Sequence, residues 1–393
     1  MKKRFFIPLT LGLVLSGAMS SCDDDDDDKS SKSTEEIIAE IDANDDLEYT
    51  SENSKNWNSY MTIIAKYLQS DATTLYNDWA VEYSSEGSYA EIFKAAGNNT
   101  TFQSALTATE QIIDGCADIA HEVGESKIGE PYNKWKSKEY KDAVYAVESW
   151  YSWHSRVDYS NNIKSIRNSY FGSRDGKVAE NSISALVASV DSDLDTKVKN
   201  AISDATEAIE AIPQPFRSNI FASEVPVAME ACADLEDILS NQLKPVLSKF
   251  SEDQLDAVNE NYVDNVVVPT YKALKEANDN LVTAVAAFVA SPSNSGFESL
   301  ADAWLKSREP WEMSEAFLFG PVADKGLDPN MDSWPLDQTS IRAILTSGDF
   351  SGLNWDGEYD EEDEGIGNAQ SIRGFHTLEY LVYKNGKART IAE

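Results

Sequence analysis

The feature that most constrains the fold of this chain is a set of apolar stripes repeating every three or four residues. This spacing places apolar side chains along one face of an α-helix. The chain holds only 19 Gly and 12 Pro in 393 residues, and it lacks sustained two-residue alternation of the kind strands show. We therefore predict an all-α protein of helical bundles with antiparallel neighbours. The stripes are Ile112, Cys116, Ile119 and Val123; Leu235, Ile238, Leu239, Leu243, Val246, Leu247 and Phe250; and Leu281, Val285, Phe288 and Val289.

The net charge limits the classes of partner. The sequence carries 33 Lys and Arg against 68 Asp and Glu, a formal net charge of −35. Binding to DNA or RNA needs clustered cations against phosphates, so we expect no nucleic-acid partner. Hydrophobic residues make up 41% of the chain, which is enough to bury a core.

The first 21 residues are predicted to be an export signal. Basic residues at 2–4 precede an apolar run at 5–18, which is short for a permanent membrane span. Ser20 and Ser21 then lead to Cys22. This order resembles a lipoprotein signal peptide over 1–21, in which Cys22 becomes the lipidated first residue. An ordinary secretory peptide with an incidental Cys22 is the alternative.

Six consecutive aspartates at 23–28 follow Cys22. A run of like charges stays solvated and extended, so residues 22–50 are predicted to form an acidic, Ser-rich tether. Acidic runs directly after a lipidated Cys also resemble signals that send some lipoproteins to the outer cell surface. We therefore expect an outer-membrane lipoprotein exposed at the cell surface, with a periplasm-facing orientation as the alternative.

Two helical parts are predicted after the tether. Ser251, followed by Glu252 and Asp253, is a good helix N-cap at the start of a polar segment suited to joining two bundles. We place one helical bundle over 51–252 and a second over 253–393. Residues 320–370 are rich in Gly, Pro and Asp, which predicts a long ordered loop.

The segment Gly374-Phe375-His376-Thr377-Leu378-Glu379 carries the best candidate for metal binding. Positions three apart share a helix face, so His376 and Glu379 are expected to point the same way as two potential ligands. Gly374 would allow close approach at the start of that helix. Imidazole together with carboxylate suits iron or zinc, whereas carboxylates alone suit harder cations such as calcium.

A second polar cluster surrounds Arg308. Arg308 and Glu312 lie four residues apart, which suits an ion pair on a helix, and Ser314 and Glu315 follow. The neighbouring aromatic residues suggest partial burial, where charges need partners.

A third polar cluster runs from Glu148 to Asp158 and contains Ser152 and His154. Its hydroxyl, aromatic and ionisable groups suggest the lining of a crevice. A triad of Ser152, His154 and Asp158 is rejected, because one helix presents these side chains at unsuitable angles. We assign no catalytic residue.

Three ordered blocks of this chain resemble the imelysin-like family. The segment 374–379 matches its GxHxxE motif, the stretch 304–321 resembles the block before it, and residues 328–337 match its conserved loop. The resemblance implies two similar four-helix-bundle domains with the functional site in the crevice between them. It implies metal ligation by His376 and Glu379. The residues implied to line the crevice are Arg308, Glu312, Ser314, Glu315, Gly374, Ser152 and Asp158.

The order of the two parts departs from the usual family pattern, in which the GxHxxE half comes first. Here that half resembles residues 253–393, and residues 51–252 resemble the usual second half. We therefore predict a circularly permuted topology, which proteins tolerate when their chain ends lie close together at the surface.

The resemblance further implies a part in bacterial iron uptake, and the family was once classed as metallopeptidases. The HExxH pattern is absent from the sequence, because Glu125 stands where the second His would follow His121 and Glu122. We expect a non-enzymatic lipoprotein that binds a divalent or ferric ion, haem or a component of an iron-uptake system. A metallopeptidase using His376 and Glu379, and a structural or adhesive surface protein without a metal site, are the alternatives.

Overall fold

The computed structural model of the protein describes residues 34–44, 47–355 and 357–392. The predicted signal peptide, Cys22 and the aspartate run lie outside the described residues. From Thr34 onward the chain forms one compact unit. Helices dominate it, and its strands form one hairpin, in which Tyr383–Lys384 (β1) pairs antiparallel with Lys387–Ala388 (β2). The prediction of an all-α protein is confirmed.

The chain forms 18 α-helices within the described residues. In chain order they are α1 Thr34–Asn44, α2 Ser54–Ala80, α3 Tyr89–Lys94, α4 Ala105–His121, α5 Gly129–Lys136, α6 Tyr140–Tyr145, α7 Ser155–Phe171, α8 Ile183–Val190, α9 Ser192–Ala211, α10 Glu224–Asp237, α11 Glu252–Tyr262, α12 Val268–Ala290, α13 Asn294–Glu312, α14 Pro321–Asp324, α15 Leu327–Asp332, α16 Gln338–Ser347, α17 Glu364–Gln370 and α18 Gly374–Val382. Three wider π-helical segments continue α4, α10 and α11, at Glu122–Ile128, Ile238–Leu243 and Val263–Val267. Short 3₁₀ segments lie at Phe216–Ser218, Lys244–Lys249, Glu315–Phe317 and Ser351–Leu353.

The apolar stripes of the sequence form the core. Ile112, Cys116, Ile119 and Val123 are buried on one face of α4 and its π-helical continuation, as the spacing predicts. The stripe from 235 to 250 is buried too, although it runs through α10, a π segment and a 3₁₀ segment rather than one regular helix. Cys116 and Cys232 are buried free thiols, the state expected of cysteines in apolar surroundings.

Capping residues set several helix ends. Ser251 accepts a hydrogen bond from the backbone N–H of Gln254, whose side chain in turn accepts from Ser251, and this capping box starts α11 as expected. Asp363 accepts from the backbone N–H groups of Gly365 and Ile366 and starts α17. Asp363 belongs to the exposed acidic run 360–364, so one member of that run has a structural role.

The expectation of a long loop over 320–370 is wrong. The structure places α14, α15, α16 and α17 within this stretch, each between four and ten residues long. Helices of one to three turns repeat an apolar position too few times to show a period. The Asp337 side chain caps α16, and Gly348 ends it in the left-handed conformation at φ 71°.

The longest helix, α2, packs against the C-terminal part of the chain. It packs along α12 and against α18. Its Trp57 Nε1 donates a hydrogen bond to Leu381 O at 3.1 Å, and Ala392 N donates to Tyr49 O at 2.9 Å. Tyr49 and Trp57 are therefore adjacent to the C-terminal segment, as a permuted topology requires. The permuted order and the division into bundles at 252 and 253 stay predictions. Of the helices that the structure describes, none has the length and apolar content to cross a membrane.

Candidate functional site

Helix α18 holds His376 and Glu379 together. It begins at Gly374, whose φ is +86°, and a Cβ there would lie 2.5 Å from Met331 O. Glycine therefore permits the close packing of α18 on α15. His376 Nδ1 lies 3.2 Å from Glu379 Oε2, and both side chains are fully buried. The predicted helix and the shared direction of the two side chains are present.

The turn before α7 supplies further partners of Glu379. Ser152 donates to Glu379 Oε1 through its backbone N–H at 2.8 Å and through its hydroxyl at 2.7 Å. The same turn holds Ser149 and Trp153 at positive φ, which costs energy for residues other than glycine. Ser152 is thus brought to the GxHxxE helix from 227 residues away.

Asp158 lies behind this turn without forming a catalytic relay. The Ser149 hydroxyl donates to Asp158 Oδ2 at 2.6 Å, and Asp158 Oδ1 accepts no hydrogen bond. The nearest ring nitrogen of His154 is 3.9 Å from that oxygen. Because the Ser152 hydroxyl is committed to Glu379, the geometry contains no relay of Ser152, His154 and Asp158.

Arg308 is the central cation of the site. Its guanidinium is fully buried and contacts three carboxylates. Nη1 donates to Asp332 Oδ1, Nη2 lies 2.6 Å from Glu312 Oε1, and Nε lies 3.6 Å from Asp158 Oδ2. A cation in this position neutralises part of the negative charge that three buried carboxylates would otherwise bring.

Both ring nitrogens of His376 have partners. Nδ1 faces Glu379, and Nε2 lies 3.0 Å from Asp332 Oδ1. Burial and the nearby Arg308 disfavour the charged imidazolium, but Asp332 and Glu379 outweigh them and raise the pKa of His376 to about 9. At neutral pH the imidazole is therefore protonated, and a metal bound directly to His376 must first displace a proton.

Three carboxylates converge next to Arg308. Oxygen atoms of Glu312, Glu315 and Asp332 all lie within 4.8 Å of one another, a group able to hold a metal ion. Asn162 Nδ2 donates to Glu312 Oε2 at 2.5 Å, which fixes the amide orientation and leaves Asn162 Oδ1 buried without a hydrogen-bond partner. An orphaned carbonyl oxygen beside carboxylates calls for a cation or a water. We name Glu312, Glu315 and Asp332 the carboxylate triad.

The surroundings of the triad are rich in protonated acid. Burial raises the pKa of Glu312 to about 8, although Arg308 opposes the shift, and it raises the pKa of Glu315 well above its usual value. Burial and repulsion by other carboxylates raise the pKa of Asp328 to about 7. The buried Lys127 stands nearby, with Nζ 3.3 Å from Glu148. Carboxyl groups therefore outnumber the resident cations here.

Two of the predicted crevice residues have local roles. The Ser314 hydroxyl donates to Trp311 O at 2.7 Å and closes the end of α13 without touching the charged groups. Gly374 acts through its backbone shape alone. The other predicted residues, Arg308, Glu312, Glu315, Ser152 and Asp158, join His376 and Glu379 in one connected polar cluster.

Three residues of the cluster were not among the predicted site residues. Asp332 contacts both Arg308 and His376, Asn162 contacts Glu312, and Lys127 lies among the acids. Asp332 stands in the Asp-Ser-Trp-Pro sequence that resembles the family loop, so a signal was present for it. Asn162 lies in the middle of the polar helix α7, whose unusually many buried Ser and Asn side chains were its only sign.

The donors of the cluster suit a hard cation. Carboxylate and amide oxygens are the ligands that calcium, magnesium and ferric iron favour, and Asn162, which donates to Glu312, carries an amide oxygen without a hydrogen-bond partner. His376 Nε2 contacts Asp332 Oδ1, and contacts between histidines and carboxylates are common around metal sites. The residues present therefore fit a metal ion.

The fold and the cluster define an all-helical protein with a buried, carboxylate-rich polar site. The chain belongs to the imelysin family: the sequence model of that family, described as Imelysin, matches residues 32–242 and 267–393. A crystal structure of an imelysin peptidase from Bacteroides ovatus is similar with a TM-score of 0.86 and 53% identity, covering 88% of this chain and 99% of that one.

Two further proteins are similar to part of this chain. Iron-regulated protein A of Synechococcus elongatus is 24% identical over 159 residues, which cover 40% of this chain and 36% of that protein. A putative iron-regulated protein A precursor from Parabacteroides distasonis is 36% identical with a TM-score of 0.40, over 44% of this chain and 51% of that one. The chain thus matches about a third of the length of the Synechococcus protein and half of the Parabacteroides protein.

Proposed function

We propose that this protein binds a metal cation, iron in the first place, at the carboxylate triad and serves its uptake without acting as an enzyme. The observation that carries the proposal is the convergence of Glu312, Glu315 and Asp332 beside an orphaned Asn162 Oδ1. Burying three carboxylates in their ionised form costs several kcal/mol each unless cations offset them. A bound cation would supply that compensation and the missing partner of Asn162.

The half-exposed Glu122 offers a route to this site. Its Oε1 lies 3.7 Å from Lys127 Nζ, and Lys127 in turn lies beside Glu148. Glu122 is therefore the exposed end of a chain of ionic contacts that leads through Lys127 to the largely buried Glu148. The strongly negative net charge of −35 raises the local concentration of cations around the whole protein.

The role of His376 and Glu379 follows from their contacts. His376 orients Asp332, and Glu379 orients His376, so in this proposal the pair supports the triad from the second layer. Direct ligation by His376 and Glu379 is the competing arrangement, and it requires the imidazole to exchange its proton for the metal. Haem fits less well, because haem iron is commonly held by His, Cys, Met or Tyr rather than by carboxylates.

Metal analysis of the purified protein tests the site. After loading with ferric or zinc salts and removal of free metal, the wild type should retain metal and Glu312→Gln with Glu315→Gln should lose it. Glu309→Gln is the matched control, because Glu309 lies on the same helix but is exposed. The double variant His376→Ala with Glu379→Ala separates the two arrangements: complete loss there, with retention in the triad variant, favours direct ligation. Equal metal content in all variants would sink the metal site.

A metallopeptidase is the second candidate, favoured by the similarity to a protein titled an imelysin peptidase. Such an enzyme needs an open metal position for a water and a general base. Here both nitrogens of His376 and both oxygens of Glu379 already have partners. We expect no cleavage of a casein panel. Chelator-sensitive cleavage that disappears in His376→Ala with Glu379→Ala would overturn the non-enzymatic assignment.

The similarity to Iron-regulated protein A supports a role connected with iron. We propose that the lipid anchor predicted at Cys22 holds the protein at the outer membrane, facing the cell surface, where it receives iron for an uptake system. A deletion strain should grow more slowly on limiting iron, and the gene with Cys22→Ser should fail to restore membrane attachment. Unchanged growth on every iron source would count against an uptake role.

A further inference from the structure

We propose that the guanidinium of Arg308 is a built-in counter-cation of the carboxylate triad, which a bound metal must displace and which thereby sets the metal affinity. The inference rests on the proposed function, because it concerns the same triad. In this role Arg308 lowers the affinity for the metal, whereas a residue that positions the ligands would raise it.

The position of Arg308 carries the first step. Its fork contacts two of the three triad members at once, Asp332 through Nη1 and Glu312 through Nη2 at 2.6 Å. A metal held by the triad needs oxygen lone pairs of these same two carboxylates. The metal and the guanidinium also carry like charge, and a side chain that is fully buried has no water to screen it. The two cations therefore compete for one place.

The chemistry of arginine makes the competition permanent. A lysine or histidine in this position would lose its charge when a metal arrives, whereas arginine keeps its proton at any pH a protein tolerates. Arg308 therefore makes room for a metal by moving its side chain and not by losing its proton. Competition with the guanidinium therefore favours metal ions of high charge density over weakly charged ones.

Asp158 offers the displaced guanidinium an acceptor. Its Oδ1 is buried and accepts no hydrogen bond, and Arg308 Nε likewise donates none while lying 3.6 Å from Asp158 Oδ2. The centroid of the Phe375 ring lies 5.5 Å from the guanidinium carbon and provides a cation–π surface beside it. Rotation of Arg308 toward Asp158 would satisfy both open groups and release Glu312 and Asp332.

Terbium luminescence measures the competition without any activity assay. Tb³⁺ prefers hard oxygen ligands, and Trp311 Nε1 donates to Asp332 Oδ2 at 2.7 Å, so its indole is placed to sensitise the bound ion.

Arg308→Met removes the charge at similar volume and should tighten Tb³⁺ binding at least tenfold. Asp158→Asn should weaken binding in the wild-type background but not in the Arg308→Met background. Arg389→Met is the matched control, since Arg389 is also buried but donates to backbone carbonyls, and should leave binding unchanged.

The outcomes separate this inference from the proposed function. Binding by the wild type with unchanged or weaker binding by folded Arg308→Met overturns the counter-cation and leaves the metal site standing. Binding by neither protein overturns both. An equal effect of Asp158→Asn in both backgrounds overturns the acceptor role of Asp158. If circular dichroism shows that Arg308→Met does not fold, Arg308→Lys replaces it: lysine cannot span two carboxylates, so its affinity should exceed that of the wild type, and an unchanged affinity refutes the competition.

Discussion

Replacing His376 with Gln tests the charge of the buried imidazole. Burial and Arg308 work against the imidazolium, but Asp332 and Glu379 raise its pKa from 6.5 to about 9 in the folded protein. The difference, 9 minus 6.5, is about 2.5, and each pKa unit corresponds to about 1.4 kcal/mol. The proton on His376 therefore contributes about 3 kcal/mol to the free energy of unfolding where it is fully bound.

The raised pKa of His376 determines how the free energy of unfolding changes with pH. A group whose pKa is higher in the folded state stabilises fully below its unfolded pKa of 6.5, and this contribution is lost as the pH rises through about 9. The stability gap between wild type and His376→Gln should therefore be about 3 kcal/mol larger near pH 6 than near pH 10. Glu312 titrates in both proteins, so its effect largely cancels in the difference.

Urea denaturation with a chelator present measures this gap. Tryptophan fluorescence is a suitable signal, because the Trp334 ring lies 4.9 Å from the imidazole. His121→Gln serves as the control, since His121 is exposed and should change stability by less than about 0.5 kcal/mol. A gap of the same size at both pH values would refute the assignment of a charged His376 and weaken the account of the whole cluster.

Three further predictions concern packing and hydrogen bonding. Gly374→Ala should lower the free energy of unfolding by about 2 kcal/mol or more, because the residue has φ +86° and its Cβ would meet a backbone carbonyl at 2.5 Å; an unchanged melting temperature would contradict this. Ser152→Ala removes one of the two hydrogen bonds that Ser152 gives buried Glu379 and should cost about 1–3 kcal/mol in urea denaturation, whereas a neutral result would mean that water replaces the hydroxyl. Burial raises the pKa of both Cys116 and Cys232 to about 12, so neither should react with a thiol reagent until the protein unfolds, and rapid labelling of the native protein would disprove their burial.

The helices were predictable where they are long. The stripe of α4 and its π-helical continuation repeats an apolar residue over about three turns, and each member is buried in the structure. Periodicity of that length identifies both the helix and its inner face. The short helices α14 to α17 have too few repeats, and their ends depend on single caps such as Asp337 and Asp363. Composition alone therefore suggested a loop.

The site was predictable only within single helices. His376 and Glu379 share a face because the helical period requires it, so the pair follows from spacing. The contact of Asp332 with His376 joins residues 44 positions apart, and Asn162 meets Glu312 across 150 positions. Contacts of that separation depend on how whole helices pack, which no local pattern records. The resemblance to the family supplied the region of the site, but not which atoms face one another.

The contact between α2 and α18 has a consequence for folding during synthesis. Helix α18 is nine residues long, and its partner α2 is made more than three hundred residues earlier. A helix of that length is unstable in isolation, and closing so long a loop is among the slow steps of folding. His376 and Glu379 consequently join the carboxylates only after the last residues have been synthesised and docked. A nascent chain in which α18 has not yet docked therefore carries no assembled polar cluster.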